Sequence, residues 1–63
     1  MSGFTEPLKH ILVANKCWLV RGHRLREIWE SPISKKRFTV DNNIKSRHAA
    51  NAVLRQAGLP KAF

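Results

Sequence analysis

The sequence predicts an α+β fold, in which two helices cover one face of a three-stranded antiparallel sheet. Apolar residues follow helical spacing near both ends of the chain and alternate with polar residues in between. Short connections join the alternating segments, which favours an antiparallel meander. The 63 residues are expected to form a single domain, 1–63, with a small core. The second face of the sheet is expected to stay open, and a functional surface is expected there.

The first helix is predicted to run from Glu6 to Asn15, after a disordered tail over Met1 to Phe4. Its apolar positions are Leu8, Ile11 and Leu12. Thr5 is the predicted N-cap, because an acid and a proline follow it in the first turn, where both are tolerated.

Three short segments between the helices have the composition of β-strands. They are Cys17 to Arg21, Leu25 to Glu30 and Arg37 to Asp41. Residues 22–23 and 31–36 separate them and contain the glycine, proline and serine typical of turns. In the third strand Phe38 and Val40 alternate with polar residues and are expected to face the helices.

The stretch 44–60 is predicted to hold the last helix and its stop signal. Ser46 is the predicted N-cap, with Asn43 as the alternative. Gly58 is expected to end the helix in the left-handed conformation, and Pro60 prevents continuation. The inward face is expected to be Ala50, Val53, Leu54 and Ala57. The predicted core of the domain is Val53, Leu54, Phe38, Val40, Leu12 and Leu19.

The net charge points to a polyanionic partner. Twelve Lys and Arg residues against four acids give +8, and the whole excess lies from Lys16 onward. A basic excess this dense attracts polyanions, and nucleic acid above all. The phosphate contacts expected on the last helix and in the second turn are Lys45, Arg47, Arg55, Lys35 and Lys36. The alternative is a solvated basic surface, or one neutralised by an acidic protein partner.

Residue content excludes several kinds of site. Three scattered glycines cannot form a phosphate-binding glycine loop. The histidines lack partners at metal-ligand spacing, so neither a metal nor a cofactor is expected. Cys17 cannot form an internal disulfide, which fits a reducing cytoplasm. No run approaches the roughly 18 apolar residues of a membrane helix, so no membrane association is expected.

His23 is the candidate catalytic residue, because it lies in a turn flanked by Arg21, Arg24 and Arg26. Such arginines can hold a phosphate while the imidazole accepts the proton of a ribose 2′-hydroxyl, a reaction that needs no metal. The alternative interpretation is a loop histidine without a catalytic role.

Four segments carry a resemblance to a known family. They are Leu8 to Arg21, Glu27 to Pro32, Phe38 to Val40 and Ala52 to Leu59. Leu19-Val-Arg21 is similar to the end of an Asn-Gly-aromatic-x-Leu-Val-Arg strand, and Val53-Leu-Arg-Gln-Ala-Gly58 is similar to an Ile-Leu-Lys-Gln-Ala-Gly helix ending. On these residues nearly the whole chain resembles the HicA toxins of bacterial type II toxin–antitoxin modules.

The resemblance implies a fold similar to double-stranded-RNA-binding domains. It implies a ribosome-independent ribonuclease that cuts mRNA and is neutralised by a HicB antitoxin. The family's catalytic histidine stands in a Gly-Ser-His or Gly-Asp-His segment at the start of the second strand. The family also ends its first helix with a glycine, where this chain has Lys16.

This sequence departs from the family pattern at the catalytic segment. Counting back from Ile28-Trp29 places Arg26 at the histidine position, and His23 lies three residues earlier. A shift of three residues turns a side chain to the other face of a sheet unless the turn compensates.

Two classes of function are therefore predicted. The first is a HicA-like, metal-independent mRNA ribonuclease, in which His23 is the general base and Arg24 and Arg26 bind the phosphate. The second is a binding protein, either a catalytically inactive relative that binds RNA or a basic protein that only binds an acidic protein partner. An active nuclease is expected to arrest growth when it is expressed, and a binding protein is not.

Overall fold

The five elements of the structure follow one another in the predicted order. The computed structural model describes residues 3–63, and Met1 and Ser2 of the predicted tail lie outside them. The elements are α1 (Thr5–Ala14), β1 (Trp18–Gly22), β2 (Arg26–Glu30), β3 (Arg37–Asp41) and α2 (Arg47–Gln56). The strands form one antiparallel sheet in the order β1-β2-β3. The predicted α+β fold is confirmed, with strand ends displaced by one residue in β1 and β2.

Helix α1 begins differently from the prediction. Phe4 occupies the N-cap position and makes no side-chain capping bond, so the prediction of Thr5 as N-cap is wrong. The Thr5 hydroxyl is instead turned inward, where it accepts from the Ile44 N–H at 2.9 Å and donates to the Asp41 carbonyl at 3.3 Å. The Phe4 N–H donates to the Ile44 carbonyl at 2.8 Å, and the Phe4 ring packs edge-on against Phe63. These bonds fix the start of α1 beside the end of β3.

One cluster of buried side chains lies between the sheet and the two helices. It contains Leu8, Leu12, Cys17, Trp29, Phe38, Val40, Ile44, Ala50, Val53, Leu54 and Ala57. The inward face predicted for α2 is therefore confirmed residue by residue. Five of the six predicted core residues are in the cluster, and the prediction of Leu19 as a core residue is wrong.

Leu19 is 47% exposed because β1 lies at the edge of the sheet away from β3, the strand against which α2 packs. All five residues of β1 are exposed, whereas β3 alternates between buried and exposed positions. A register irregularity between Leu19 and Arg21 also bends β1 locally. Trp29, which stands opposite Leu19 in β2, is buried in its place.

Helix α2 begins and ends at the residues that the sequence indicates. The Ser46 side chain accepts from the His48 N–H at 3.1 Å, which confirms Ser46 as the N-cap. Gly58 has φ 80°. The Leu59 N–H donates to the Leu54 carbonyl at 2.8 Å, which is the 6→1 hydrogen bond of a Schellman ending. A Cβ atom at Gly58 would lie 2.9 Å from the Ile33 side chain, so glycine is required there for two reasons.

Lys16 ends α1 in the same left-handed region, with φ 69°. A non-glycine residue in this region places its Cβ too close to the neighbouring carbonyl oxygen, which costs roughly 1–2 kcal/mol. The backbone is therefore strained at the residue where the HicA pattern has glycine.

Candidate functional site

The meander brings two loops together at one end of the sheet. Strand β2 begins after the turn 23–25, and β3 ends opposite that point because Asp41 pairs with Arg26. The loop 42–46 then leads into α2, so the first turn of α2 starts at the same end. We call this region, residues 23–26 and 42–48, the basic end of the domain. The turn 31–36 lies at the opposite end of the sheet.

This topology divides the predicted phosphate contacts into separate groups. Arg24, Arg26, Lys45 and Arg47 belong to the basic end, and Arg21 lies in β1 close to it. Lys35 and Lys36 lie in the turn at the opposite end of the sheet, so the structure does not bring them together with His23. Arg55 lies eight residues beyond Arg47, which corresponds to about 12 Å along the helix axis.

The Asn42 side chain joins the two loops of the basic end. Its amide nitrogen donates to the Arg24 carbonyl at 2.9 Å and its amide oxygen accepts from Lys9 at 3.1 Å. The backbone N–H of Asn42 donates to the Leu25 carbonyl at 3.0 Å. These three bonds fix the turn 23–25 against the start of the α2 loop, and they connect both loops to α1.

Lys9 extends this network to the sheet by an ion pair with Glu27, at 3.1 Å. The Trp29 indole N–H donates to the same carboxylate at 3.0 Å. Partial burial by itself raises the pKa of Glu27, but the hydrogen bonds from Trp29 and Lys9 and the positive charge of Lys9 hold the pKa below its ordinary value. Glu27 is therefore ionised in the folded protein at neutral pH and neutralises Lys9 rather than the basic end.

The cations of the basic end are mostly free of acidic partners. Within residues 3–63, Arg24, Lys45 and Arg47 are exposed and form no ion pair. Arg26 pairs with Asp41 at 3.5 Å, with both side chains largely exposed, a geometry that contributes little to stability. The first turn of α2 contains no acid, so the partial positive charge of the helix start adds to the same surface. The arrangement is suited to holding phosphate groups.

His23 lies opposite Arg26 across the turn, with its N–H bonded to the Arg26 carbonyl at 2.8 Å. This pairing continues the β1–β2 register, in which Gly22 stands opposite Glu27. Opposite residues of a hairpin share a face, so the turn compensates for the three-residue shift between His23 and Arg26. The two residues line one open depression together with Arg24 and Leu25. The exposed His23 side chain therefore shares this depression with Arg24 and Arg26.

Lys9 and Asn42 are the site residues that sequence reasoning missed. Lys9 lies in the part of the chain with no net charge, and nothing in the sequence pairs it with Asn42, which lies 33 residues later. The available signal is general, because asparagine side chains often bond nearby backbone groups in turns. The sequence also gave no sign that Asn51 would bond the backbone of Ala62 and Phe63 and so fold the last residues along α2.

Comparisons with known proteins leave the site to be interpreted from its geometry. A scan against protein-family models and searches of curated proteins and of solved structures found no match to the chain. Over residues 3–63, no group of three His, Cys, Asp or Glu side chains is placed to hold a metal ion. Neither α1 nor α2 is long and apolar enough to cross a membrane.

Proposed function

We propose that this chain is a HicA-like protein of the cytoplasm that binds mRNA through its basic end. The observation that supports this most strongly is that Arg24, Lys45 and Arg47 lie at the same end of the sheet, exposed and without acidic partners among residues 3–63. Asn42 holds the two loops that carry them in a fixed relation, so their spacing is preorganised. A preorganised set of cations binds a polyanion with less loss of conformational entropy than mobile side chains do.

Phosphate is the group that this surface recognises. Arginine and lysine contacts to phosphates fix the position of a nucleic acid without reading its sequence. The start of α2 adds backbone N–H groups directed toward the ligand. Salt competes with such contacts, so affinity is expected to fall steeply as the salt concentration rises.

For the chemistry, we propose His23 as the general base in cleavage of the bound RNA. His23 accepts the proton of a ribose 2′-hydroxyl, and the 2′-oxygen forms a bond to the adjacent phosphorus. The bond from phosphorus to the 5′-oxygen breaks, and that oxygen takes up a proton from solvent. Arg24 and Arg26, which line the same depression, hold the phosphate during the transfer. The specific observation that favours this step is the position of His23 opposite Arg26.

The second candidate is an RNA-binding protein that does not cut. The observation that favours it is Arg26, which stands at the position of the family's histidine and pairs with Asp41. In either case we propose a small acidic antitoxin of the HicB type as protein partner, because a surface of this charge favours an acidic complement.

Two variants with equal loss of charge test the binding proposal. The first replaces the basic end: Arg24→Gln, Lys45→Gln and Arg47→Gln. The second replaces cations at the opposite end of the domain, in the turn 31–36 and the last turn of α2: Lys35→Gln, Lys36→Gln and Arg55→Gln. Glutamine keeps a polar side chain without the charge, and each variant loses three positive charges. Fluorescence anisotropy with a labelled single-stranded RNA gives the dissociation constant between about 50 and 200 mM salt.

The basic-end variant is expected to bind much more weakly and with a shallower salt dependence. Each lost phosphate contact on a single strand reduces by about 0.7 the slope of the logarithm of the binding constant against the logarithm of the salt concentration. The opposite-end variant is expected to stay close to the unmodified protein. Equal losses in both variants would contradict a localised basic site. Affinity that does not change with salt would contradict RNA binding through phosphates altogether.

A further inference from the structure

The face of the sheet that the helices leave uncovered carries its own set of exposed side chains. Along β3, Phe38 and Val40 are buried against the helices. Successive residues of a strand point to opposite faces, so Arg37, Thr39 and Asp41 lie on the open face.

The strand register extends this face across the other two strands. Residues directly opposite each other in antiparallel strands share a face. On β2 the partners are Arg26, Ile28 and Glu30. On β1 the next partners are Trp18, opposite Glu30, and Arg21, opposite Ile28. The open face therefore begins beside the basic end, at Arg21 and Arg26, and reaches Trp18 at the far end of β1.

Trp18 is 45% exposed, in contrast to the second tryptophan, Trp29, which is 6% exposed. Its partner in the neighbouring strand is Glu30, which places the indole on the open face. A large aromatic side chain left accessible on a sheet is a stacking surface, and every nucleobase has a face that can stack on it.

The charges around Trp18 favour a polyanion. This surface carries three arginines and two acids. Two of the arginines form ion pairs, Arg37 with Glu30 at 3.0 Å and Arg26 with Asp41 at 3.5 Å. Arg21 forms no ion pair within residues 3–63 and is exposed between the basic end and Trp18. The free positive charge and the exposed ring therefore lie on the same strand, three residues apart.

We propose that the open face binds a single-stranded segment of RNA, with one base stacked on Trp18 and the adjoining phosphate held by Arg21. This inference rests on the proposed RNA binding and names its substrate class. A duplex keeps its base faces covered by the neighbouring pairs, so only an unpaired strand can use the Trp18 ring. The strand would continue from the phosphates held at the basic end, across Arg26 and Arg21, onto the sheet.

Intrinsic fluorescence reports on Trp18 directly. Trp29→Phe leaves Trp18 as the single tryptophan of the chain, and it keeps an aromatic ring in the core. Titration of this variant with an eight-residue oligouridylate is expected to quench the emission, and titration with a blunt RNA duplex is expected to leave it nearly unchanged. Quenching by the duplex alone, or by neither RNA when anisotropy shows binding, would overturn the proposal.

Affinity measurements with Trp18→Leu and Trp18→Phe provide the second test. Base stacking on an aromatic side chain predicts roughly a 5- to 100-fold loss of oligouridylate affinity for the leucine variant. The phenylalanine variant keeps a stacking ring and is expected to recover most of that affinity. Affinity for the duplex is expected to be the same in all three proteins.

The outcomes separate this inference from the proposed function. If the unmodified protein binds neither RNA, RNA binding itself is wrong. If it binds with a steep salt dependence but Trp18→Leu binds the oligouridylate equally well, the assignment of the sheet face alone is wrong. Equal weakening by Trp18→Leu and Trp18→Phe for both RNAs also overturns it, since stacking does not explain such a loss.

Discussion

Replacing Asn42 tests how the basic end is held together. Asn42→Ala removes the 2.9 Å bond to the Arg24 carbonyl and the 3.1 Å bond from Lys9, and it leaves the backbone bond to Leu25 in place. A net contribution of about 0.5–1.5 kcal/mol for each bond predicts a loss of about 1–3 kcal/mol. A domain of this length is stable by roughly 3–9 kcal/mol, so the variant is expected to remain folded.

Asn43→Ala is the matched control, because Asn43 is exposed and makes no side-chain hydrogen bond within residues 3–63. Urea unfolding of the two variants measures the loss of stability. Amide exchange at His23, whose N–H is bonded to the Arg26 carbonyl, measures the loosening of the turn. RNA affinity is expected to fall in Asn42→Ala alone. A stability loss below about 0.5 kcal/mol, or one equal to that of Asn43→Ala, would refute the reasoning.

Three further predictions concern the core, the pH dependence and the chemistry. Leu54 is fully buried, so Leu54→Ala is expected to cost about 2–5 kcal/mol in urea unfolding, and a loss below half a kcal/mol would contradict its place in the core. Because the pKa of Glu27 is lower in the folded than in the unfolded chain, its contribution to stability is present at neutral pH and is lost as the pH falls below about 5. Glu27→Gln is expected to be less stable at neutral pH and to show a flatter acid unfolding profile; an unchanged profile would contradict this. If the chain cleaves RNA, His23→Ala is expected to reduce the rate by about 10²–10⁴-fold with RNA affinity retained and with no effect of chelator. If the unmodified protein is inert and Arg26→His gains activity, the binding-only function is correct.

The sequence predicted the elements well because the periodicity of each is strong. The third strand was predicted to the residue, since Phe38 and Val40 alternate cleanly with polar neighbours. The end of α2 was equally predictable, because Gly58 supplies the left-handed conformation that a Schellman ending needs.

The errors fall where tertiary structure overrides local preference. Leu19 has the composition of a core strand residue, but only the tertiary structure shows that β1 lies at the edge of the sheet away from α2. Thr5 has the preference of an N-cap, but its hydroxyl bonds to the backbone of Asp41 and Ile44 instead. Neither the edge position nor these long-range bonds can be inferred from residue spacing.

The candidate site was predictable in composition and not in arrangement. Charge alone identified the basic residues, and the turn composition identified His23. The separation of Lys35 from the basic end follows from the meander, because successive turns lie at opposite ends of a sheet. The connection of the loops by Asn42 depends on side-chain geometry that only the structure shows.

The central claim is that RNA binds at the basic end. It is tested most directly by following backbone amide chemical shifts of the ¹⁵N-labelled protein as single-stranded RNA is added. The largest shift changes are expected in residues 23–26 and 42–48, with a further set in residues 18–21 on the open face of the sheet, and all of them become smaller as salt is raised. Shift changes concentrated in the turn 31–36, or no shift changes at low salt, would contradict it.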